Sequence, residues 1–239
     1  MKKKYSHIFF DLDNTLWDFR KNSYFALEET FGNYFRENGQ LTFEEFFEVY
    51  SEINHSLWKE YRNQQIQKNE LVWLRFQRSF DKLNIEGMDA KETNKQYFEK
   101  MPFQTNLVEG TKEILQYLKL KGYQMSIISN GFREVQFKKL ENTGMLQYFD
   151  KVFLSEDLKI PKPAVEIFQY AIKSVNAKKS KSLMIGDDWE TDIVGAMNMG
   201  IDAIYFNTEE NMIKNNKYLT RHSNSVFFVE KLAHLKTYV

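Results

Sequence analysis

Cysteine is absent from the 239 residues, which excludes disulfides, thiolate nucleophiles and cysteine-based zinc or iron–sulfur centres. A reducing compartment fits that composition. Proline occurs only three times, and neither a Pro-rich linker nor a low-complexity tract divides the chain. Charge of one sign is missing too: Lys plus Arg and Asp plus Glu number 33 each, so no global field favours nucleic acid, an anionic membrane or an acidic partner. Any anion must be bound locally. No apolar run approaches the ~20 residues that span a bilayer, and the one after MKKK stops at Asp11, too short for a signal-peptide core. The expectation is a cytoplasmic protein with neither membrane nor nucleic-acid polymer as partner. With no linker to a partner domain, a monomer or weak homodimer is expected.

What is present is 42% hydrophobic content, an ordinary amount for a core-forming chain of this length. Many of the 21 Phe and 13 Tyr crowd between residues 17 and 103, where every signal is helical. Tyr24, Leu27, Phe31, Tyr34 and Phe35 recur at three-to-four spacing. Thr42 to Glu45 reads as a capping box ahead of an apolar stripe, and Asp89 with Glu92 as another helix start. From about residue 107 short β-rich runs (YQMSIIS, KVFL, SLMIG, DAIYF) alternate with amphipathic helices, and Gly122, Gly144 and Gly200 follow helical runs as left-handed caps. This alternation predicts an α/β fold with a parallel sheet and helices on both faces. HIFF at residues 7 to 10 is a further strand of that sheet, so the predicted organisation is a core of residues 1–19 and 102–239 interrupted by an all-helical insertion, residues 20–101.

In open parallel sheets ligands bind beyond the carboxyl ends of the strands. The polar residues there are Asp11, Asp13 and Thr15 after IFF; Ser129, Asn130 and Gly131 after SII; and Asp187, Asp188 and Asp192 after LMIG. Lys162 lies between two prolines just before a helix. Taken singly, each has an ordinary explanation: aspartates form turns and helix caps, Ser-Asn-Gly is a turn, and a loop lysine is usually solvated. Their joint order and strand-end placement point to a site. Several carboxylates at a buried edge raise one another's pKa or require a cation, and a hard divalent ion such as Mg²⁺ suits oxygen donors. Ser129, the amides around Asn130 and Gly131, and the Lys162 ammonium suit a phosphate dianion.

DLDNT, ISNG, KPxxxIF and GDDWETD, in this order, resemble the four motifs of the haloacid dehalogenase (HAD) superfamily, and the likeness covers essentially the whole chain. SLWKEYRNQQIQKNEL and SNGFREVQFKKLENTGMLQYFD resemble its branch of pyrimidine nucleoside 5'-monophosphate phosphatases, the housecleaning nucleotidases. The resemblance implies a Rossmann-like core with residues 20–101 as its helical cap. It implies Asp11 as nucleophile forming an aspartyl-phosphate, Asp13 as acid and base, and Lys162 as the charge that lets phosphate approach. Ser129, Asn130 and Gly131 would bind the phosphate; Asp11, the Asp13 carbonyl and Asp187 would ligate Mg²⁺; Thr15, Asp188 and Asp192 would support them. Asp188 departs from the pattern, standing where a small hydroxyl residue is usual. Trp17, Phe19, Trp58 and Tyr61 are candidates for a wall stacking on a base. The expected substrate is a small-molecule phosphomonoester, a pyrimidine nucleoside 5'-monophosphate. A sugar-phosphate or other small-metabolite phosphatase or phosphomutase would share every catalytic residue. A 2-haloacid dehalogenase needs no second acid, and a non-catalytic regulator would have lost the nucleophile or the lysine.

Overall fold

Seven strands form one sheet in the computed structural model, which describes residues 4–39, 41–206, 220–221 and 224–239. They are β1 (His7–Phe10), β2 (Gln124–Ser129), β3 (Lys151–Leu154), β4 (Ser182–Gly186), β5 (Asp202–Phe206), β6 (Thr220–Arg221) and β7 (Asn224–Val229), in the order β3-β2-β1-β4-β5-β7-β6. All neighbours are parallel except β6 with β7. The sheet is the Rossmann-like α/β architecture expected. In β1, Ile8, Phe9 and Phe10 are almost wholly buried, as are Leu183, Met184 and Ile185 of β4. Such strands carry no polar alternation because both faces are covered.

The helices are α1 (Phe19–Phe31), α2 (Tyr34–Asn38), α3 (Phe43–Arg62), α4 (Lys68–Leu83), α5 (Ala90–Lys100), α6 (Thr111–Leu120), α7 (Arg133–Asn142), α8 (Ser155–Leu158), α9 (Val165–Ser174) and α10 (Gly195–Met199). One core cluster joins Phe9, Ile128 and Met184 of the sheet to Ile167, Phe168 and Ala171 of α9 and to Ala196 and Met199 of α10. The chain separates into two compact units, Met1–Phe19 with Thr105–Val239, and Arg20–Gln104.

The helical unit has an aromatic core, with Phe31 and Phe46 ring centroids 4.5 Å apart and Tyr50 and Phe76 5.3 Å apart. Its helices start where the capping signals stand: Thr42 accepts from the Glu45 amide while the Glu45 carboxylate accepts from the Thr42 amide, and Asp89 accepts from the Glu92 amide. The unit runs three residues past the expected residue 101. A 3-10 turn, Met101–Phe103, continues α5, and Gln104 Nε2 donates to Glu29 Oε1 of α1 at 3.0 Å. Gly122, Gly144 and Gly200 have φ of +71°, +71° and +83°, as their post-helical positions predict. Strand β7 and the 3-10 turn Leu232–Thr237 complete the sheet unit without having been anticipated.

Candidate active site

β1 lies at the point where the strand order reverses, between β2 and β4, so the loop after it opens at the crevice of the sheet. The Asp11 amide donates to the Ile185 carbonyl at 2.9 Å, tying the loop to β4. Residues 12–17 then close on themselves: the amides of Leu16 and Trp17 donate to the Leu12 carbonyl, and the Asn14 amide donates to the Trp17 carbonyl at 2.7 Å. Asn14 takes the left-handed conformation, φ 60°, that its short polar side chain tolerates.

Behind this loop the ends of β1 and β4 and the turn that follows β4 bring Asp11, Asp187 and Asp192 together, each offering an oxygen within 4.8 Å of the others. Lys162 Nζ donates to Asp11 Oδ1 and to Asp192 Oδ1, both at 2.6 Å, and is itself 1% exposed. Lys162 thus pairs with two of the three clustered carboxylates at once, Asp11 and Asp192. Burial and then the neighbouring Asp192 and Asp13 charges push Asp11 up to about 7 against the pull of Lys162. Burial and the Asp11 charge raise Asp187, and burial raises Asp192 against the pull of Lys162. Burial would lower Lys162, but the two carboxylates it touches raise it overall. The excess of buried hard oxygen donors fits a divalent cation, which would supply the missing positive charge. Thr15 Oγ1 donates to Asp187 Oδ1 at 2.9 Å and fixes one member of the set.

The geometry adds to the motif-based assignment at several positions. Asp192 holds Lys162 in the supporting role the motifs imply, and it also stands inside the carboxylate cluster, its Oδ2 accepting from the Asp188 amide at 3.2 Å. The Asp13 carboxylate is held from α7, with Oδ1 accepting from Lys139 Nζ at 2.6 Å and Oδ2 from Gln136 Nε2 at 2.9 Å. The Asn130 side chain binds the backbone of Lys162: Oδ1 accepts from the Lys162 amide at 2.8 Å and Nδ2 donates to the Lys162 carbonyl at 3.1 Å. It thereby locks the lysine loop. Asp188 caps the π-helical turn Trp189–Val194, accepting from the amides of Glu190 and Thr191 at 3.0 Å. Trp17 is fully buried, with Lys139 Nζ 4.1 Å from a ring centroid, so its indole packs within the loop and offers no open wall to a base. Phe19 is half-buried beside Trp17, centroids 6.2 Å apart. Trp58 and Tyr61 pair edge to face in α3 of the helical unit at 5.7 Å. Ser129 Oγ accepts from the Gly131 amide at 3.1 Å and from Gln136 Nε2 at 2.7 Å.

Gln136 and Lys139 are the residues the motifs passed over. Both are at most 1% exposed on α7, and burial lowers the Lys139 pKa against the opposing Asp13 charge. Their signal was polar residues in the stripe that carries Val135 and Leu140, where an amphipathic helix should be apolar.

A family model described as haloacid dehalogenase-like hydrolase matches residues 8–206. The chain belongs to that family of hydrolases. Within it, the chain is 33% identical to a pyrimidine 5'-nucleotidase of Escherichia coli over 206 residues, 85% of this chain and 87% of the relative. It is 31% identical to a glyceraldehyde 3-phosphate phosphatase of Methanothermobacter thermautotrophicus over 202 residues, 84% and 85% of the two chains. Among solved structures, a HAD-hydrolase of Bacillus subtilis bound to magnesium superposes with a TM-score of 0.84 at 25% identity, over 98% of each chain. No helix among the described residues is long and apolar enough to cross a membrane.

Proposed function

We propose that this HAD hydrolase is a Mg²⁺-dependent phosphomonoesterase working through an aspartyl-phosphate on Asp11, with pyrimidine nucleoside 5'-monophosphates as substrates. The observation that carries the reading is the buried carboxylate cluster of Asp11, Asp187 and Asp192 with Lys162 2.6 Å from Asp11. An Asp11 oxygen attacks phosphorus; the bond from phosphorus to the ester oxygen breaks, and Asp13 protonates the departing alkoxide. Water then attacks the acyl phosphate, gives its proton to Asp13 and frees inorganic phosphate and the Asp11 carboxylate. Ser129, the amides of the 129–131 turn and Lys162 hold the transferring oxygens, so positioning and charge neutralisation supply most of the rate. Asp11, Asp187 and Asp192 would hold the cation, which when bound offsets the negative charge of carboxylates and phosphate.

The nucleotide preference is supported by the likeness to the Escherichia coli pyrimidine 5'-nucleotidase. We assign the choice of substrate to the helical unit, as a cap, because the strand-end residues recognise only the phosphate. The likeness to a glyceraldehyde 3-phosphate phosphatase, 31% over 84% of the chain, favours a second reading as a small-metabolite phosphatase. Phosphate release from UMP, dUMP, dTMP and a set of sugar phosphates, with Mg²⁺ and with chelator, separates the two. Turnover of the pyrimidine nucleotides above an Asp11→Asn control supports the nucleotidase. Faster turnover of sugar phosphates supports the second reading, and no turnover of any ester removes both.

A further inference from the structure

On α7, Gln136 and Lys139 stand one turn apart on the same face, and both reach the Asp13 carboxylate, one to each oxygen. Neither belongs to the strand-end motifs. Burying an ammonium costs several kcal/mol unless a partner compensates it. Lys139 meets that cost at Asp13 and against the faces of Trp17 and Phe19, with ring centroids 4.1 and 5.5 Å from Nζ. Gln136 Nε2 also donates to Ser129 Oγ at 2.7 Å, so one amide nitrogen bridges the two groups. Ser129 Oγ already accepts from the Gly131 amide at 3.1 Å. With both lone pairs of that oxygen occupied, its own hydrogen is left to donate. Space for the bridge exists because residue 131 is glycine: a Cβ there would sit 2.8 Å from Gln136 Cγ and closer still to its amide.

We infer that Lys139 and Gln136 are positioning residues for phosphoryl transfer: Lys139 fixes the Asp13 carboxylate, and Gln136 ties it to a Ser129 hydroxyl turned to donate. The inference rests on the reading of Asp13 as the group that protonates the leaving oxygen. A purely architectural Lys139 would serve only to fill the space under Trp17.

The test compares an alkyl phosphate, whose poor leaving group needs a proton, with p-nitrophenyl phosphate, whose leaving group does not. Asp13→Asn tests the underlying reading and should lower kcat far more on the alkyl ester. Lys139→Met should reproduce that selectivity at reduced size, about ten- to a hundredfold on the alkyl ester, below or at the lower end of the 10²–10⁴ range that a positioned acid supplies. Lys139→Arg, which keeps a donor and a charge, should recover most of the loss. In the Asp13→Asn background Lys139→Met should cost little more, because the group it positions is gone. If Asp13→Asn lowers both esters alike, the acid/base reading fails, and this inference with it. If Asp13→Asn is selective but Lys139→Met lowers both esters equally, or the two losses multiply in the double variant, the positioning role is overturned while the acid/base reading stands. Should Lys139→Met not fold, Gln136→Met carries the same comparison, with the same selective loss expected and an unselective loss overturning it.

Discussion

Gly186→Ala should damage the site without removing any ionisable group. Gly186 ends β4, pairs with Tyr205 of β5, and follows Ile185, whose carbonyl accepts from the Asp11 amide. A Cβ built on it would lie 2.6 Å from Asp192 Cβ and nearer still to the Asp192 carboxylate. Neither partner has room to give. The strand is paired on both sides, and Asp192 is fully buried with its oxygens held by Lys162 at 2.6 Å and by the Asp188 amide at 3.2 Å. Overpacking of this kind costs about 1–3 kcal/mol, which for a chain of this size lowers the melting temperature by roughly 2–12 °C. Relieving the clash by shifting Asp192 removes one of the two anchors of Lys162, so phosphate release should fall with stability. Gly87→Ala is the control: φ there is +77° with no atom within 4 Å, so only backbone strain of about 1 kcal/mol is expected, with activity kept. Thermal melts followed by tryptophan fluorescence, together with phosphate-release assays, report both quantities. A Gly186→Ala protein that melts within a degree of wild type and retains full activity would refute the steric reasoning.

Further outcomes follow from the same geometry. Lys162→Met removes the ammonium paired with both Asp11 and Asp192 and should cost about 3–5 kcal/mol without divalent cation, the usual penalty for breaking a buried pair. Added Mg²⁺ should recover part of that loss in melts, and an equal deficit with and without Mg²⁺ would argue against cation binding by the carboxylates. Asp202 is held below its usual value of 3.8: burial raises it, but the Ser225 amide, Tyr5 and Lys4 outweigh burial. A depressed carboxylate stabilises the fold above its unfolded pKa and loses that contribution as pH falls through the folded one. The stability gap between wild type and Asp202→Asn should therefore be constant near neutrality and close below about pH 4; denaturant titrations across pH 3 to 7 would detect a gap that fails to close. Thr42→Ala should cost about 1 kcal/mol through loss of the capping box on α3, visible as a lower denaturant midpoint.

How far the sequence reveals the site depends on the range of each interaction. Asp11, Ser129 and Asp187 were legible because each follows an apolar run that could only be a strand, and strand ends in a parallel sheet share one edge. Thr42 and Asp89 were legible because capping is settled within three residues. The destination of a side chain across the fold was not. Spacing does not show that the Asn130 side-chain amide binds the backbone of Lys162, 32 residues away. Lys139 carried no assignment from the sequence, yet it is buried against Asp13, 126 residues away. Trp17 was offered to a substrate because aromatic residues serve both roles, and the ammonium beside it could not be foreseen from spacing. Asp188 was ambiguous because it stands where a small hydroxyl residue is usual, while its place ahead of the Trp189–Val194 turn also suits a cap.

The central claim is that Asp11 becomes phosphorylated during turnover. Rapid acid quench of the enzyme turning over a nucleoside monophosphate with Mg²⁺, followed by mass spectrometry of the peptide holding Asp11, should find one acid-stable, base-labile phosphoryl group on that residue, absent from Asp11→Asn. Steady phosphate release with no modified Asp11, or an Asp11→Asn enzyme that retains wild-type turnover, would contradict the account.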